Sequence, residues 1–476
     1  VSARGGAPAE PAVAVLGLGY VGLPLAAAFA RAGVRTLGFD VSAERVARLL
    51  AAAAGAAPPP DVPARSEAGG PLEVIASGAL RLSHDSFELK RCDVFLIAVP
   101  TPVDAAHRPD PGSVLAAADL IGAALAGRPE VRGLVVVEST VAPGTTRDLV
   151  GPRVGHAAGL VPEVDFDLAC SPERINPGDP LHGLLDVPKV VAADTDAALA
   201  RVVALYARLL RDPNGATAGA VAEDAPLLPP GSTREPSRRR SPPLETSRST
   251  AAAELAKLLE NAQRDVNIAL VNQVARLSEA LALPPGEALR LARTKWNFAP
   301  YAPGFVGGHC VSVDPWYLVQ SMSNAGLDAS LLSSARAAND AMPAFVARCT
   351  LARVGQRPAL SPPRIGVFGV TYKEDVADVR NSGARSLAAA LTELGAEVVF
   401  VDPLAEPSAV ARELGLTLSP QRLVTDLDAL ILAAPHRVWR TAPASLVACL
   451  RVGGLLVDVR GALDAARLAG VAYWRP

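Results

Sequence analysis

Short, unbroken apolar runs alternate with longer stretches of helical period along most of this chain. Residues 13–16, 36–39, 93–99 and 134–137 are runs of the kind that fill strands buried on both faces of a parallel sheet. Each stops at glycine or at polar residues: Gly17, Asp40, Pro100-Thr101-Pro102 and Glu138-Ser139-Thr140. An alanine-rich helix is predicted over 23–32, and 169–179 reads as another strand end running into a polar loop. Residues 251–282 carry a long helical pattern. Leu255, Leu258, Leu259, Ala262, Val266, Ala269 and Leu270 give this helix a core side, while Glu254, Lys257, Asn261 and Arg264 form a polar stripe on another face. Further helices are predicted over 287–293 and 330–347. Apolar runs return at 364–370, 398–401, 429–433 and 454–459, an echo of the first set.

The first run leads directly into Gly17-Leu-Gly19-Tyr20-Val21-Gly22, then the helix, then the second run, which ends in Asp40. Strand, GxGxxG, helix, strand and acid in that order make a dinucleotide site. Its glycines admit a pyrophosphate to the helix N-terminus, and Asp40 accepts the ribose hydroxyls, which favours NAD over its 2′-phosphorylated form. In such sheets ligands bind beyond the carboxyl ends of the strands, so Pro100, Thr101 and Thr140 should border the cofactor. The predicted class is α/β, with two Rossmann-like doubly wound parallel-sheet domains joined by a long central helix and a small helical domain. The expected boundaries are a disordered tail over 1–11, an NAD-binding domain over 12–211, a Pro/Arg/Ser-rich insertion over 212–250, a central helical domain over 251–350 and the second sheet domain over 363–476.

Composition narrows the setting. At 476 residues the chain exceeds one hydrophobic core. A formal net charge of −2 gives no reason to expect nucleic acid or a membrane surface as partner. Residues 1–11 lack the basic-then-apolar layout of a secretory leader. Five scattered cysteines argue against a disulfide framework and for the cytoplasm, and no metal-ligand spacing stands out. Lysine occurs only at 90, 189, 257, 295 and 373 in a chain rich in arginine, a hint that some of these do what arginine cannot.

The candidate chemistry lies in 301–318, where Gly307-Gly308-His309-Cys310 is followed by Asp314. Cys310 is either a structural cysteine in a glycine turn or a nucleophile oriented by a carboxylate. Glu173 and Arg174 form either a pocket wall or a surface ion pair. The stripe of Lys257, Asn261 and Arg264 is either a solvated face or a wall that binds oxyanions and phosphates. In 371–382, Lys373 and Arg380 follow the echo strand where glycines would otherwise admit a diphosphate, so a nucleotide lacking nicotinamide could be held through side chains.

Five separated segments, in their order, resemble the nucleotide-sugar 6-dehydrogenases of the UDP-glucose/GDP-mannose dehydrogenase family. They are Gly17-Leu-Gly-Tyr-Val-Gly-Leu-Pro24, Val99-Pro-Thr-Pro102, Ser171-Pro-Glu173, Lys257 to Asn261, and Gly307-Gly-His-Cys310 with Asp314. The wording of 171–179, 261–265 and 294–298 is most similar to the Vi-antigen type, which acts on UDP-N-acetylglucosamine or UDP-N-acetylgalactosamine in surface-polysaccharide pathways. The resemblance implies two NAD-dependent oxidations of the sugar C6 alcohol to a uronic acid. Cys310 would carry a thiohemiacetal and then a thioester. Lys257 and Asn261 would stabilise oxyanions, and Asp314, Glu173 and a Thr140-bound water would move protons. It further implies Arg45 at the adenosine end, Lys373 near the UDP, Arg380 at the cofactor cleft and Glu173, Arg174, Arg264 and Gly307 around the substrate. A homodimer or larger assembly built on the long helix is also implied. UDP-glucose and UDP-N-acetylmannosamine are the alternative substrates, and a catalytically idle UDP-sugar-binding protein is the alternative class. Tyr372 and Ala262 depart from the family's usual phenylalanine and threonine.

Overall fold

The computed structural model describes residues 12–59, 62, 70–174, 187–209, 244–284, 286–354, 361–464, 468 and 470–476. The expected tail over 1–11 and the body of the expected insertion, 212–243, lie outside the described residues, as do 175–186 within the polar loop after Ser171. By compactness the described residues form two units, divided inside the long helix between Leu258 and Leu259. The helices expected as a central domain therefore group, from Leu259 onward, with the second sheet.

The first unit is built on eight strands: β1 (Val13–Leu16), β2 (Thr36–Phe39), β3 (Leu80–Ser83), β4 (Val94–Ile97), β5 (Leu134–Val137), β6 (Asp167–Cys170), β7 (Lys189–Ala192) and β8 (Leu244–Ser247). Their order is β3-β2-β1-β4-β5-β6-β7-β8. All neighbours are parallel except β6 and β7, which meet antiparallel at Cys170 and Ala192. The first six strands follow the doubly wound order, with a switch point between β1 and β4. Every residue of β1, β2, β4, β5 and β6 is buried, because helices cover both faces of the sheet. Two apolar cores result. One packs Leu25, Phe29 and Tyr206 on one face, and the other packs Ile121, Val154 and Phe166 on the opposite face.

Strand β8 corrects the expected insertion boundary. Leu244–Ser247 pairs in parallel with Lys189–Ala192, so the segment re-enters the sheet before 250. Leu-Glu-Thr-Ser is too short and too polar for its periodicity to announce an edge strand.

The second unit carries β9 (Arg364–Phe368), β10 (Glu397–Val401), β11 (Leu427–Leu432), β12 (Leu450–Asp458) and β13 (Ala472–Trp474) in the all-parallel order β10-β9-β11-β12-β13. This is the other common doubly wound order, with its switch point between β9 and β11. Helices Asp314–Asn324, Ser330–Asp340 and Met342–Arg353 precede it. The 330–347 pattern is thus two helices, broken at Ala341 and restarted with Pro343 in the first turn.

The long helix, Thr250–Ala280, only partly follows the expected faces. Glu254, Lys257, Asn261, Asp265 and Asn272 are buried, whereas Leu255, Leu259 and Leu270 are exposed. Of the expected core side, Leu258, Ala262 and Ala269 are buried. The polar residues go inward because each of Glu254, Asn261, Asp265 and Asn272 finds a hydrogen-bond partner there. No helix among the described residues is long and apolar enough to cross a membrane.

Candidate active site

The turn after β1 is shaped to take a dinucleotide. A Cβ on Gly22 would lie 1.9 Å from the carbonyl oxygen of Gly17, so the helix Gly22–Arg31 can start this close to the strand only without one. A Cβ on Gly19, by contrast, would meet nothing within 4 Å, which leaves open space over the turn. No side chain caps this helix, and Tyr20 and Val21 at its approach are half-buried. Asp40 follows β2 directly. Its two oxygens accept the N–H groups of Leu18 at 2.9 Å and Ser42 at 2.9 Å. Arg45 donates from Nε and Nη2 to the Leu18 carbonyl, at 3.1 and 2.8 Å. Asp40 and Arg45 thus clamp the glycine turn at one residue, an arrangement that fits NAD. A carboxylate with spare lone pairs at this strand end suits ribose hydroxyls and repels a 2′-phosphate.

Pro100 and Thr101 stand at the open end of β4 and Thr140 at the open end of β5, with Pro100 exposed and both threonines half-buried. Ser139 ties the two ends together by donating from Oγ to the carbonyls of Ile97 and Val99, at 3.2 and 2.7 Å. The loop beyond Thr140 is fastened by Glu254, a member of the polar stripe on the long helix. Its carboxylate accepts Gly144 N–H at 2.6 Å, Thr146 N–H at 2.9 Å and the Thr146 hydroxyl at 2.6 Å. Burial pushes Glu254 up to about 7, against the opposing pull of these donors.

Glu173 sits just past β6 and is buried. Its Oε2 is 3.1 Å from the Lys189 ammonium, and its Oε1 accepts the Arg174 N–H at 2.6 Å. Arg174 donates from Nη1 to the Pro188 carbonyl at 3.0 Å. The anticipated alternative of a surface ion pair between Glu173 and Arg174 is therefore replaced by a buried pair with Lys189. That lysine was legible only through its rarity.

In the second unit the cysteine loop is held from several sides. Asn261 donates from Nδ2 to Asp314 Oδ2 at 2.6 Å, and both residues are buried. The Asp314 N–H donates to the Cys310 carbonyl at 2.8 Å, which places Cys310 one turn ahead of the helix Asp314–Asn324. Gly308 has φ +83°, a conformation that favours glycine, and a Cβ there would lie 2.8 Å from the Tyr372 ring. The Gly308 carbonyl accepts the Ser312 hydroxyl at 2.5 Å and Asn381 Nδ2 at 3.1 Å. Gly307 packs against the Asn381 backbone. Cys310 itself is half-buried. His309 lies 3.9 Å from Asp378, which is forked by Arg380 at 2.9 and 2.7 Å. Burial and the Arg380 charge push His309 down to about 4, so at neutral pH the ring is uncharged.

A buried polar network, which the sequence pattern did not reveal, anchors the stem of this loop. Asn272 donates to the Gly304 carbonyl at 3.0 Å and accepts the Gly304 N–H at 2.9 Å. It also donates to Asn339, which in turn bonds Asp265, the partner of Arg336. Beside the loop, Phe305, Thr371, Tyr372, Lys373, Glu374 and Arg460 line one concavity. Arg460 pairs with Glu374 there, a cation at the end of β12 that went unread. Lys257 is buried one turn before Asn261 on the long helix, while Arg264 is exposed and stands away from that inner face. Among the described residues no cluster of His, Cys, Asp or Glu is arranged to hold a metal ion.

Three domain descriptions of one family match the chain in order. The UDP-glucose/GDP-mannose dehydrogenase NAD-binding domain matches residues 11–210, the central domain 251–341 and the UDP-binding domain 366–465. The chain is 32% identical over 459 residues to a UDP-N-acetyl-D-glucosamine 6-dehydrogenase of Pseudomonas aeruginosa, covering 95% of this chain and 97% of that one. It is 30% identical over 433 residues to the enzyme of the same name from Salmonella typhi, covering 90% and 91%. Among solved structures, UDP-D-ManNAc dehydrogenase from Pyrococcus horikoshii superposes with a TM-score of 0.76 at 28% identity, covering 98% of each chain. A UDP-glucose dehydrogenase from Pyrobaculum islandicum gives 0.76 at 26% identity, covering 100% and 99%.

Proposed function

Since this chain belongs to the UDP-glucose/GDP-mannose dehydrogenase family, and is thus an NAD-dependent nucleotide-sugar dehydrogenase, we propose that it oxidises the C6 hydroxymethyl of a UDP-N-acetylhexosamine to the carboxylate. UDP-N-acetylglucosamine or UDP-N-acetylgalactosamine is the substrate, and the product serves surface-polysaccharide assembly. The observation that carries the reading is the held cysteine: Asn261 fixes Asp314 at 2.6 Å, and Asp314 fixes the Cys310 backbone at 2.8 Å. NAD⁺ would be held on the Gly17–Gly22 turn with Asp40 and Arg45, bordered by Pro100, Thr101 and Thr140, and would supply the hydride acceptor for both oxidations.

The protein's own groups do the rest. Lys257 and Asn261 stabilise the alkoxide as the alcohol loses its proton, and later the tetrahedral oxyanions. The Cys310 thiolate adds to the aldehyde carbon, forming the C–S bond of a thiohemiacetal. Loss of the remaining C6 hydride leaves a thioester. Glu173, with the Thr140 hydroxyl placing a water, takes a proton as that water adds, and the C–S bond breaks to return the thiolate and the acid. Asp314 relays protons beside Cys310. The sum is alcohol, water and two NAD⁺ going to carboxylate, two NADH and three protons. Lys373 and Arg460 hold the diphosphate, and Arg174 and Gly307 border the substrate.

The N-acetylhexosamine assignment draws on the names of the Pseudomonas and Salmonella relatives. UDP-N-acetylmannosamine is the second reading, favoured by the likeness to the Pyrococcus structure. Purified protein given each UDP-sugar with NAD⁺ should release two NADH per UDP-N-acetylglucosamine or UDP-N-acetylgalactosamine, at the highest kcat/KM of the panel. A higher kcat/KM for UDP-N-acetylmannosamine or UDP-glucose would transfer the assignment to that sugar.

The assembly we propose is a homodimer on the long helix. Leu255, Leu259, Leu270 and Leu277 lie on its outward side, and Leu281 follows just past its end. All five leucines are exposed, Leu259 by 58% and Leu270 by 59%. A self-complementary stripe of this kind is what a second copy of the same helix covers.

A further inference from the structure

Lys189, a residue with no part in the reading above, is enclosed by the ends of three strands. It begins β7 and only 6% of it reaches solvent. Its ammonium lies 2.8 Å from Glu138 Oε2 at the end of β5 and 3.1 Å from Glu173 Oε2 just past β6. Glu138 is 1% exposed and also accepts the hydroxyl of Tyr206, from the helix Asp196–Ala207. The ammonium stands 5.5 Å over the centre of the same Tyr206 ring. Ser171, between β6 and Glu173, offers its carbonyl at 3.5 Å. The ionisable groups facing the ammonium are thus Glu138, Glu173 and Tyr206, with Cys170 behind them, while the far oxygen of Glu173 accepts the Arg174 backbone N–H.

Three features make this more than a structural ion pair. A buried cation shared by two carboxylates leaves a surplus negative charge in a dry place, which is a costly way to hold a fold together. The surplus is resolved unevenly. Burial, only partly countered by Lys189, pushes Glu138 up to about 7, above an ordinary glutamate. Burial acts to lower Lys189 as well, but the two carboxylates overcome it and hold the ammonium above an ordinary lysine. Finally, the ammonium is a compact point charge that fits between three strand ends, where a planar guanidinium would need more room. In an arginine-rich chain one of the five lysines stands at this spot.

We propose that Lys189 is the positioning residue for Glu173, holding it as an aimed carboxylate, and that Glu138 is the proton-accepting counterweight that sets how strongly Lys189 does so. This deepens the role given to Glu173 above and rests on that reading. Lys189 touches neither sugar nor cofactor in this scheme and acts only through Glu173.

The sign of the effect separates it from a structural role. Removing the ammonium takes an opposite charge from Glu173 and makes its carboxylate harder to form, whereas removing the Glu138 charge takes away a like charge and makes it easier. The test follows the ionisation of Glu173 in the full-length protein by carboxyl-¹³C glutamate NMR, with the resonance identified by its loss in Glu173→Gln. In parallel, the pH profile of thioester breakdown is read after a single-turnover burst of two NADH. Lys189→Met should raise the Glu173 midpoint and the acid limb of thioester breakdown by one pH unit or more, accumulate the acyl-enzyme and leave the burst amplitude unchanged. Glu138→Gln should move both in the opposite direction. If Lys189→Met fails to fold, Glu138→Gln and Glu138→Gln/Lys189→Met form the same comparison with one buried carboxylate fewer, and the second must lie at least one unit above the first. A midpoint that stays in place without Lys189, or that moves the same way in both single variants, overturns the proposal. A midpoint that moves as expected while the acid limb stays put upholds the hold of Lys189 on Glu173 and removes Glu173 from the hydrolytic step.

Discussion

Cys310 illustrates how far single residues can be read. In isolation a cysteine in a glycine turn is as well explained by packing as by chemistry. The contacts that favour chemistry come from Asn261 and Asp314, which are 53 positions apart and meet at 2.6 Å. Cys310→Ala should abolish acid formation, at least a thousandfold in kcat, while UDP and NAD⁺ binding by calorimetry stay within a fewfold. Full acid yield from that variant would end the thioester route. Glu254 gives a second expectation. Burial holds its folded-state value near 7, above the ordinary 4.5, so the folded protein binds this proton more tightly than the unfolded chain. Stability should therefore fall as pH rises from about 4.5 to about 7 and level off above. Glu254→Gln should flatten part of that slope in calorimetric Tm against pH, and an unchanged slope would contradict it. Neither the inward turn of Glu254 nor the company of Lys189 was legible in the sequence. Each depends on which loop packs against which strand end, and hydrophobic periodicity is silent about that.

At the scale of elements, the strands were legible and the long helix was legible in extent but only in part in orientation. Strands buried on both faces announce themselves as apolar runs, and β1, β2 and β5 fall within the expected limits. Edge strands β3, β8 and β13 escaped because their short sequences mix polar and apolar residues. The helix misled for a different reason. Leu258, Ala262 and Ala269 go inward as expected, but Leu255, Leu259 and Leu270 face outward, while carboxylates and amides share the inner side. The proposed second copy would cover these exposed leucines. Leu259→Glu with Leu270→Glu should convert the protein from dimer to monomer in light scattering. A wild type that runs as a monomer at micromolar concentration would dismiss the stripe as an interface.

For the whole molecule, the order of motifs revealed more than any one of them. A glycine-rich turn, a Glu-Arg loop, a Lys-to-Asn helix and a Gly-Gly-His-Cys loop are each ambiguous, yet their succession over nearly the entire chain matches three consecutive domains of one family. What the order left open was the means of fixing each group: Ser139 across two strand ends, Asn272 on the loop stem, Arg460 at the end of β12. These are long-range hydrogen bonds and ion pairs, and only folded geometry reveals them.

The distribution of lysine has a practical consequence for probing the protein by covalent footprinting. Of the five lysines, Lys189 and Lys257 are buried, Lys90 and Lys295 are exposed, and Lys373 stands half-open on the concavity it shares with Phe305 and Arg460. An acylating reagent at mildly alkaline pH therefore meets three amines at most on the folded chain, besides the N-terminus. Peptide mass mapping should show Lys90 and Lys295 tagged whether or not nucleotide is present, and Lys189 and Lys257 tagged only after unfolding. Lys373 should be the one tag that UDP suppresses, and equal tagging there with and without UDP would move the diphosphate elsewhere. A chain that has given up nearly all its surface amines offers, by this route, an almost background-free reporter of occupancy.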